Sequence, residues 1–300
     1  RQCIYHESRM LTLAEVARLR PDILVFQNAI TDPHLEALPL YRRYFPSCLI
    51  VMGLDDLIIA MPEESSLYRA FMRQFRDGKR RVRQALAHVD RVIVSTEPLA
   101  EFARQYVDDV MVIPNRLRKD LWYGLTSQRG AGKKPRVGWV GARQHKGDLA
   151  LLRDVIVETA NEVEWVFMGM VPEGVEHLIH EIVDPVPYHL YPSKMASLNL
   201  DLAVAPLELH PFNQSKSNLR LLEYGVLGWA VICTNIEPYR ENNAPVERVE
   251  NTKEAWVRAI REHIHDLTST YRKGDALKSW VEQHYFLEDH LADWSSAYSR

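Results

Sequence analysis

The sequence predicts an α/β protein built on two parallel sheets, each with helices on both faces. Three observations predict it. Strand and helix patterns alternate from residue 12 to 113, and the alternation restarts at 136. The strand segments, among them DILVF, CLIVM, RVIVS and DLAVA, are apolar throughout rather than at every second residue. That is the pattern of strands buried on both faces. Between the two runs lies TSQRGAGKKP, rich in Gly, Ser and basic residues, which reads as a linker.

The elements follow in order. Residues 12–20 read as a helix and 22–26 (DILVF) as a strand. A helix over 33–44 leads to strand 48–52, and 66–88 reads as one long helix. Strand 91–95, helix 97–106 and strand 110–113 complete the first run. The second opens with strand 136–140 and helix 148–160, then strand 163–168 and a short helix over 173–182. Helix 194–199 precedes strand 201–205. Next, SKSNLRLLEYGVLGWAVICTN (215–235) runs from helix into strand. Leu219, Leu222 and Val226 make its core-facing stripe, Gly228 ends the helix, and Ala230 to Cys233 form the strand. Helices near 252–266 and 270–284 come next, and 287–299 is an amphipathic helix carrying Leu287, Leu291, Trp294 and Tyr298. The domains expected are 1–123, a linker at 124–135, and 136–284, with 285–300 crossing back onto the first domain.

Bulk composition excludes several classes. A chain of 300 residues with 46% hydrophobic and 26% charged content is that of a globular protein with room for two cores. A net charge of −3 argues against non-specific nucleic-acid binding. Cys3, Cys48 and Cys233 are widely spaced without a CxxC, a reducing-compartment pattern with no disulfide framework and no zinc site. No apolar run approaches a membrane span, and no signal peptide is read. The chain opens on Arg1 in mid-pattern, as a piece of a longer polypeptide would.

Open α/β sheets bind ligands beyond the carboxyl ends of their strands, so the ligand is expected in a cleft between the two domains. Three segments of the second half follow strand ends. In VGWVGARQHKGDLALL, Gly141 ends a strand and a helix begins near Gly147 and Asp148. Arg143, His145 and Lys146 add positive charge, so the turn suits an anion. It is not GxGxxG, and it also fits an ordinary βα turn capped by Asp148. In APLELHPFNQSKS, Asn213 or Ser215 is placed to cap the next helix. Lys216 then falls in the first turn, where a cation is unfavourable unless it meets an anion or points to solvent. Glu223 is the third. Lys216, Arg220 and Glu223 lie within about 60° of one another on the helix, so a polar stripe runs beside the core stripe. A carboxylate there suits two vicinal hydroxyls, as on a ribose, or a salt bridge within the helix. Together they suggest a phosphorylated ribose.

These segments resemble the donor-binding domain of GT-B glycosyltransferases, close to family 4. SKSNLRLLEYGVLGWAVICTN is similar to that family's helix-then-strand element, GARQHKGDLALL to its basic turn, and SLNLDLAVAPLE to the strand and loop before it. In the first half, YRRYFPSCLIVMGLDDLIIAMPEES and RVIVSTEPLA with VMVIPNRL resemble the acceptor domain of bacterial surface-polysaccharide members. The resemblance implies a GT-B fold with a reduced N-terminal domain, and a nucleotide-diphospho-sugar donor. It places Lys216 with Arg143 or Lys146 on the diphosphate and Glu223 on the ribose. His145 falls near the sugar or diphosphate, and Met168, Gly169, Pro187 and Tyr188 beside the base. The backbone N–H groups of Asn218 and Leu219, with Gly141, Asp148, Phe212, Asn213, Ser215 and Ser217, complete the donor side. No metal and no other cofactor is implied. Many members carry a second Glu eight residues before the ribose Glu. Here that position is Ser215, with Lys216 and Ser217 as substitute contacts.

On the acceptor side, Asp55 and Asp56 follow a strand and suit orienting or deprotonating a hydroxyl, as well as plain turn chemistry. His34 reads as part of a helix's first turn. Arg69, Arg73, Arg76, Arg80 and Arg83 make one basic helical face, a solvated surface or an approach to anionic lipid. The expectation is a retaining glycosyltransferase of bacterial surface-glycan assembly. It is placed in the cytoplasm or at the inner membrane face, with at most peripheral membrane contact. It acts on a saccharide or lipid-linked saccharide, with other domains of a larger polypeptide as further partners. Two alternatives stay open: a non-catalytic nucleotide- or glycan-binding module, and a nucleotide-sugar 2-epimerase.

Overall fold

The computed structural model describes residues 9–62, 77–142 and 145–299. They divide into two compact units, Arg1–Pro114 with Ala292–Arg300, and Asn115–Leu291.

The first unit holds β1 (Ile23–Gln27), β2 (Leu49–Leu54), β3 (Arg91–Val94) and β4 (Asp109–Val112), all parallel and in that spatial order. Alternate residues of β2 and β3 feed opposite faces. Ile50, Met52, Val92 and Val94 pack with Leu38, Tyr41, Val82, Leu86 and Leu99 from the helices of one face. Leu49, Val51 and Ile93 pack with Ala297, Trp294 and Tyr298 on the other. The last helix, Leu291–Ala297, therefore belongs to this unit, and Arg91 ties it down through the carbonyls of Ala297 and Ser299. Thr12 closes a capping box with Glu15 at the start of Leu13–Leu19. Of the long basic helix read over 66–88, Gly78–Leu86 is helical. Arg69, Arg73 and Arg76 lie outside the described residues, while Arg80 and Arg83 are exposed.

The second unit holds β5 (Arg136–Gly141), β6 (Glu164–Gly169), β7 (Glu181–Val183), β8 (Leu202–Ala205), β9 (Ala230–Thr234) and β10 (Glu247–Val249). All pairings are parallel, in the order β10-β9-β8-β5-β6-β7. The chain builds outward from β5 in one direction, then returns to build outward from β8 in the other. Between β5 and β8 lies the topological switch point where such sheets hold ligands. The first unit's strands run in sequence order with no reversal, so this rule points to the second unit.

Two readings need correction. Residues 173–182 hold a 3-10 turn at Glu176–Leu178 and the edge strand β7, not a helix. Gly174, at φ 85°, breaks helical pairing there, and Ile182 finds its partner on β6. The stretch 124–135 is no free linker. Ser127 accepts from the Trp229 indole at 2.9 Å, Gln128 N–H donates to Asn199 at 2.8 Å, and Gly130 N–H donates to Asp201 at 2.7 Å. Just before it, Trp122 and Leu117 are core residues of the second unit. Among the described residues no helix is long and apolar enough to cross a membrane.

Candidate functional site

β5 and β8 pair only through Val137–Leu202 and Gly138–Ala203, then part. The parting leaves the backbone of Val140 without a strand partner on that side. The Tyr224 hydroxyl fills the place, accepting from Val140 N–H at 2.9 Å. Tyr224 sits on Leu219–Val226, the helix that leads into β9. The crevice at the carboxyl ends of β5 and β8 is thus floored by this helix.

The helix begins later than its sequence pattern implies. Pro211–Gln214 forms a separate short turn of helix, and Asn218 is the N-cap of the longer one. Ser215 is 1% exposed and spends its hydroxyl on the Pro211 carbonyl at 2.7 Å. It therefore neither caps the next helix nor faces a ligand. Lys216 lies in the connection rather than in the first helical turn, with Nζ 4.9 Å from the centre of the Phe212 ring. Ser217 accepts from Asn115 at 2.8 Å, and Asn218 donates to the Tyr285 hydroxyl. Leu219 is half-buried against the core.

Past β5, His145 stands at the N-cap of the short helix Lys146–Ala150, and Asp148 is inside that helix rather than its cap. Asp148 is 4% exposed. Its Oδ2 meets His145 Nδ1 at 2.7 Å, and its Oδ1 accepts from Glu208 N–H and from Asn213 Nδ2, both at 2.8 Å. One carboxylate thus pins the loop after β5 to the loop after β8. Asp148 and Asn213 face inward and touch each other, not the crevice mouth. Burial pushes Asp148 upward, but the His145 bond and the Glu208 N–H hold it below its ordinary value. Burial pushes the His145 imidazole down to about 4; the Asp148 bond opposes this and the Arg220 charge reinforces it.

Arg220, in the middle of the polar stripe, contacts aromatic and polar neighbours at the crevice. Its guanidinium lies 5.2 Å over the Trp139 ring, with Nη2 3.2 Å from His145 Nε2 and Nη1 3.4 Å from the Tyr224 hydroxyl. Gly141, at the end of β5, leaves room for it: a Cβ there would overlap the Trp139 ring and lie 3.1 Å from Arg220 Nη2. One turn on, Glu223 Oε2 accepts from the Tyr191 hydroxyl at 3.2 Å. Burial pushes the Glu223 carboxyl up to about 7, against the pull of the Arg220 charge and the Tyr191 hydroxyl. Among the described residues no ion pair joins Glu223 to Arg220, although the Arg220 charge acts on the carboxyl. Tyr191 carries no sequence signal, because it reaches Glu223 from a helix 32 positions away.

The remaining candidates scatter. Lys146 is exposed and pairs with Glu173 at 2.7 Å. Arg143 lies outside the described residues. Gly169 sits at φ 96° beside the Gly141 carbonyl, a conformation and a space that exclude a side chain. Met168 is 2% exposed and is a core residue of the second unit. Tyr188 is exposed on the 3-10 turn Tyr188–Leu190. In the first unit, Asp55 follows β2 and accepts from Gln27 and Asn28, and Asp56 lines a small apolar hollow with Ile30, Leu57, Ile59 and Phe102.

No family model matches the chain, and no curated protein matches it by sequence. Solved structures match its fold. Sucrose-phosphate synthase from Thermosynechococcus elongatus is similar at TM-score 0.70 and 14% identity, over 95% of this chain and 75% of that one. TarM is similar at TM-score 0.68 and 13% identity, over 95% of this chain and 57% of that one. Anabaena HepE in complex with UDP and glucose is similar at TM-score 0.65 and 14% identity, over 94% of this chain and 80% of that one. The fold, with its two parallel sheets, is that of GT-B glycosyltransferases.

Proposed function

We propose that this chain is a glycosyltransferase that binds a nucleotide-diphospho-sugar in the crevice between β5 and β8. One observation carries the reading. At the switch point of the second sheet, Arg220 and Glu223 stand one helical turn apart, a cation and a carboxyl not paired with each other. A nucleoside diphosphate offers the complement, an anion beside two ribose hydroxyls. The UDP complex of a fold neighbour, HepE, supports the same ligand class. Glu223 accepts from the ribose hydroxyls, and Lys216, with Arg143 or Lys146 of the sequence after β5, balances the diphosphate. Balancing that charge favours departure of the diphosphate, where the negative charge grows. Transfer with retention needs no protein nucleophile. It needs the acceptor hydroxyl held beside the leaving group, which then assists. Asp55 and Asp56 are the acceptor-side carboxylates, and the acceptor is a saccharide or lipid-linked saccharide of bacterial surface glycans. The reading requires no metal and places the protein in the cytoplasm or at the inner membrane face.

A second reading has one observation in its favour. Ser215 stands where related enzymes carry a sugar-binding Glu, and it is buried and bonded internally. A chain that holds a nucleotide without turnover would look the same at this position.

The test is a thermal-shift panel of UDP, GDP, ADP, CDP and dTDP, with and without chelator. At a hundred times the dissociation constant, mass action adds about 2.7 kcal/mol. For a unit of this size that raises Tm by roughly 5–10 °C. One diphosphate is expected to give that rise with chelator present, and Glu223→Ala and Lys216→Ala are each expected to shrink it. No rise with any of the five refutes the reading. A rise without sugar transfer to cell-derived acceptors favours the second.

A further inference from the structure

We infer that Arg220 is the principal cation for the donor diphosphate, aimed by His145 in a tautomer that Asp148 fixes. The inference deepens the reading above and rests on it for the ligand's identity. Hydrogen-bond direction carries it. Asp148 accepts at Oδ1 from two donors, and its remaining oxygen meets His145 Nδ1 at 2.7 Å. An ionised carboxylate only accepts, so Nδ1 carries the proton. A guanidinium only donates, so at 3.2 Å from Arg220 Nη2 the opposite nitrogen, Nε2, presents its lone pair. The chain of donors therefore runs from Arg220 to His145 to Asp148, with the imidazole neutral.

Two consequences follow. A neutral imidazole orients the guanidinium without cancelling its charge. Among the described residues, the hydrogen-bond and ring partners of Arg220 are all uncharged, His145, the Tyr224 hydroxyl and the Trp139 and Tyr224 rings, and Glu223 acts on it through charge alone, without an ion pair. A half-buried cation whose hydrogen bonds all go to uncharged groups, with its one carboxyl neighbour not in contact, has room for an anion. Of the five guanidinium N–H groups, the contacts to His145 and Tyr224 engage two, which leaves donors for two oxygens of a phosphoryl group. Place matters as much as charge. Arg220 lies at the carboxyl end of β5, where Gly141 leaves it room, whereas Lys146 is exposed and engaged by Glu173. Lys216 sits over the Phe212 ring in the connection before the helix. His145 and Asp148 are positioning residues; neither needs to touch the ligand.

Inorganic pyrophosphate, titrated calorimetrically, separates this inference from the wider reading because it carries no base or sugar. Arg220→Gln is expected to weaken pyrophosphate about 10- to 100-fold, the scale of a lost charged hydrogen-bond donor. Lys216→Gln is expected to weaken it less. On the unaltered protein, the side-chain 15N shifts of His145 are expected to show protonated Nδ1 and bare Nε2. Asp148→Asn is expected to shift that tautomer balance and weaken pyrophosphate several-fold, an outcome a purely structural role would not give. Pyrophosphate that fails to bind the unaltered protein, unchanged binding in Arg220→Gln, or a proton on Nε2 overturns the inference. Because the 15N measurement needs no variant, a poorly folded Asp148→Asn does not shield it. If pyrophosphate behaves as expected and no nucleotide binds, the anion site stands and the glycosyltransferase reading falls. If a nucleotide binds equally to Arg220→Gln, the converse holds.

Discussion

Glu223 makes the donor site a proton-linked one, and the linkage has a definite sign. Only the ionised carboxylate accepts from both ribose hydroxyls, yet burial places its titration at about 7. Binding must therefore draw on the ionised fraction, which is about nine tenths at pH 8 and about one tenth at pH 6. Nucleoside diphosphate affinity is expected to fall about ten-fold over that range, close to 1.4 kcal/mol, and to release about half a proton at pH 7. The groups that face Glu223 are Arg220 on its own helix and Tyr191 across from it. Both favour the charged form, so Tyr191→Phe is expected to move the midpoint up. The assay is calorimetry from pH 5.5 to 8 in two buffers of different ionisation enthalpy, with Glu223→Gln alongside. The phosphate's own titration appears in both proteins and cancels in the comparison. Equal pH slopes for Glu223→Gln and the unaltered protein would refute the reasoning, because the linked proton would then belong to another group.

Two further predictions concern stability. Gly274 lies inside the helix Leu267–His284, where a Cβ would overlap the Gly228 carbonyl and come within 3.0 Å of Ala230 N. Helix propensity favours Ala by about 1 kcal/mol, but overpacking against backbone that cannot rotate away costs about 1–3 kcal/mol. Gly274→Ala is therefore expected to lower Tm by several degrees in a circular-dichroism melt; a higher Tm would show that the helix can shift outward. Glu247 is the second case. Its hydrogen bond from His263 at 3.0 Å, joined by Lys273, holds it down at about 2. A depressed carboxylate stabilises fully above its unfolded value near 4.5 and loses that contribution as pH falls toward 2. Discounted for solvent screening, since the group is only partly buried, the amount is about 1–2 kcal/mol. Glu247→Gln is expected to cost stability at pH 6 and little at pH 2.5, read as the difference in urea midpoint; a pH-independent cost would assign the effect to packing.

The apolar strands were legible because burial on both faces writes itself into every residue of DILVF, CLIVM and AVIC. β7 was not, because EIV is a three-residue edge strand between prolines whose only signal is the neighbour it pairs with. TSQRGAGKKP looked like linker because its ties are made by backbone N–H groups and single polar side chains, which leave no periodicity. At the site, the stripe of Lys216, Arg220 and Glu223 was visible, but its weighting was not. The break before Asn218 removes Lys216 from the helix, and the turn of Asp148 toward Asn213 makes a presumed ligand contact into an internal strut.

The sequence by itself determined an α/β chain with two parallel sheets and placed its polar chemistry after strand ends, since hydrophobic burial and chain punctuation are local properties of residue order. The tertiary structure decided which strands adjoin, and with them where the switch point opens. It also decided that Arg220 stands within hydrogen-bond range of His145, and that Tyr191 reaches Glu223. Those choices depend on distances between residues 32 to 84 positions apart, which only the packed sheet brings within hydrogen-bond range.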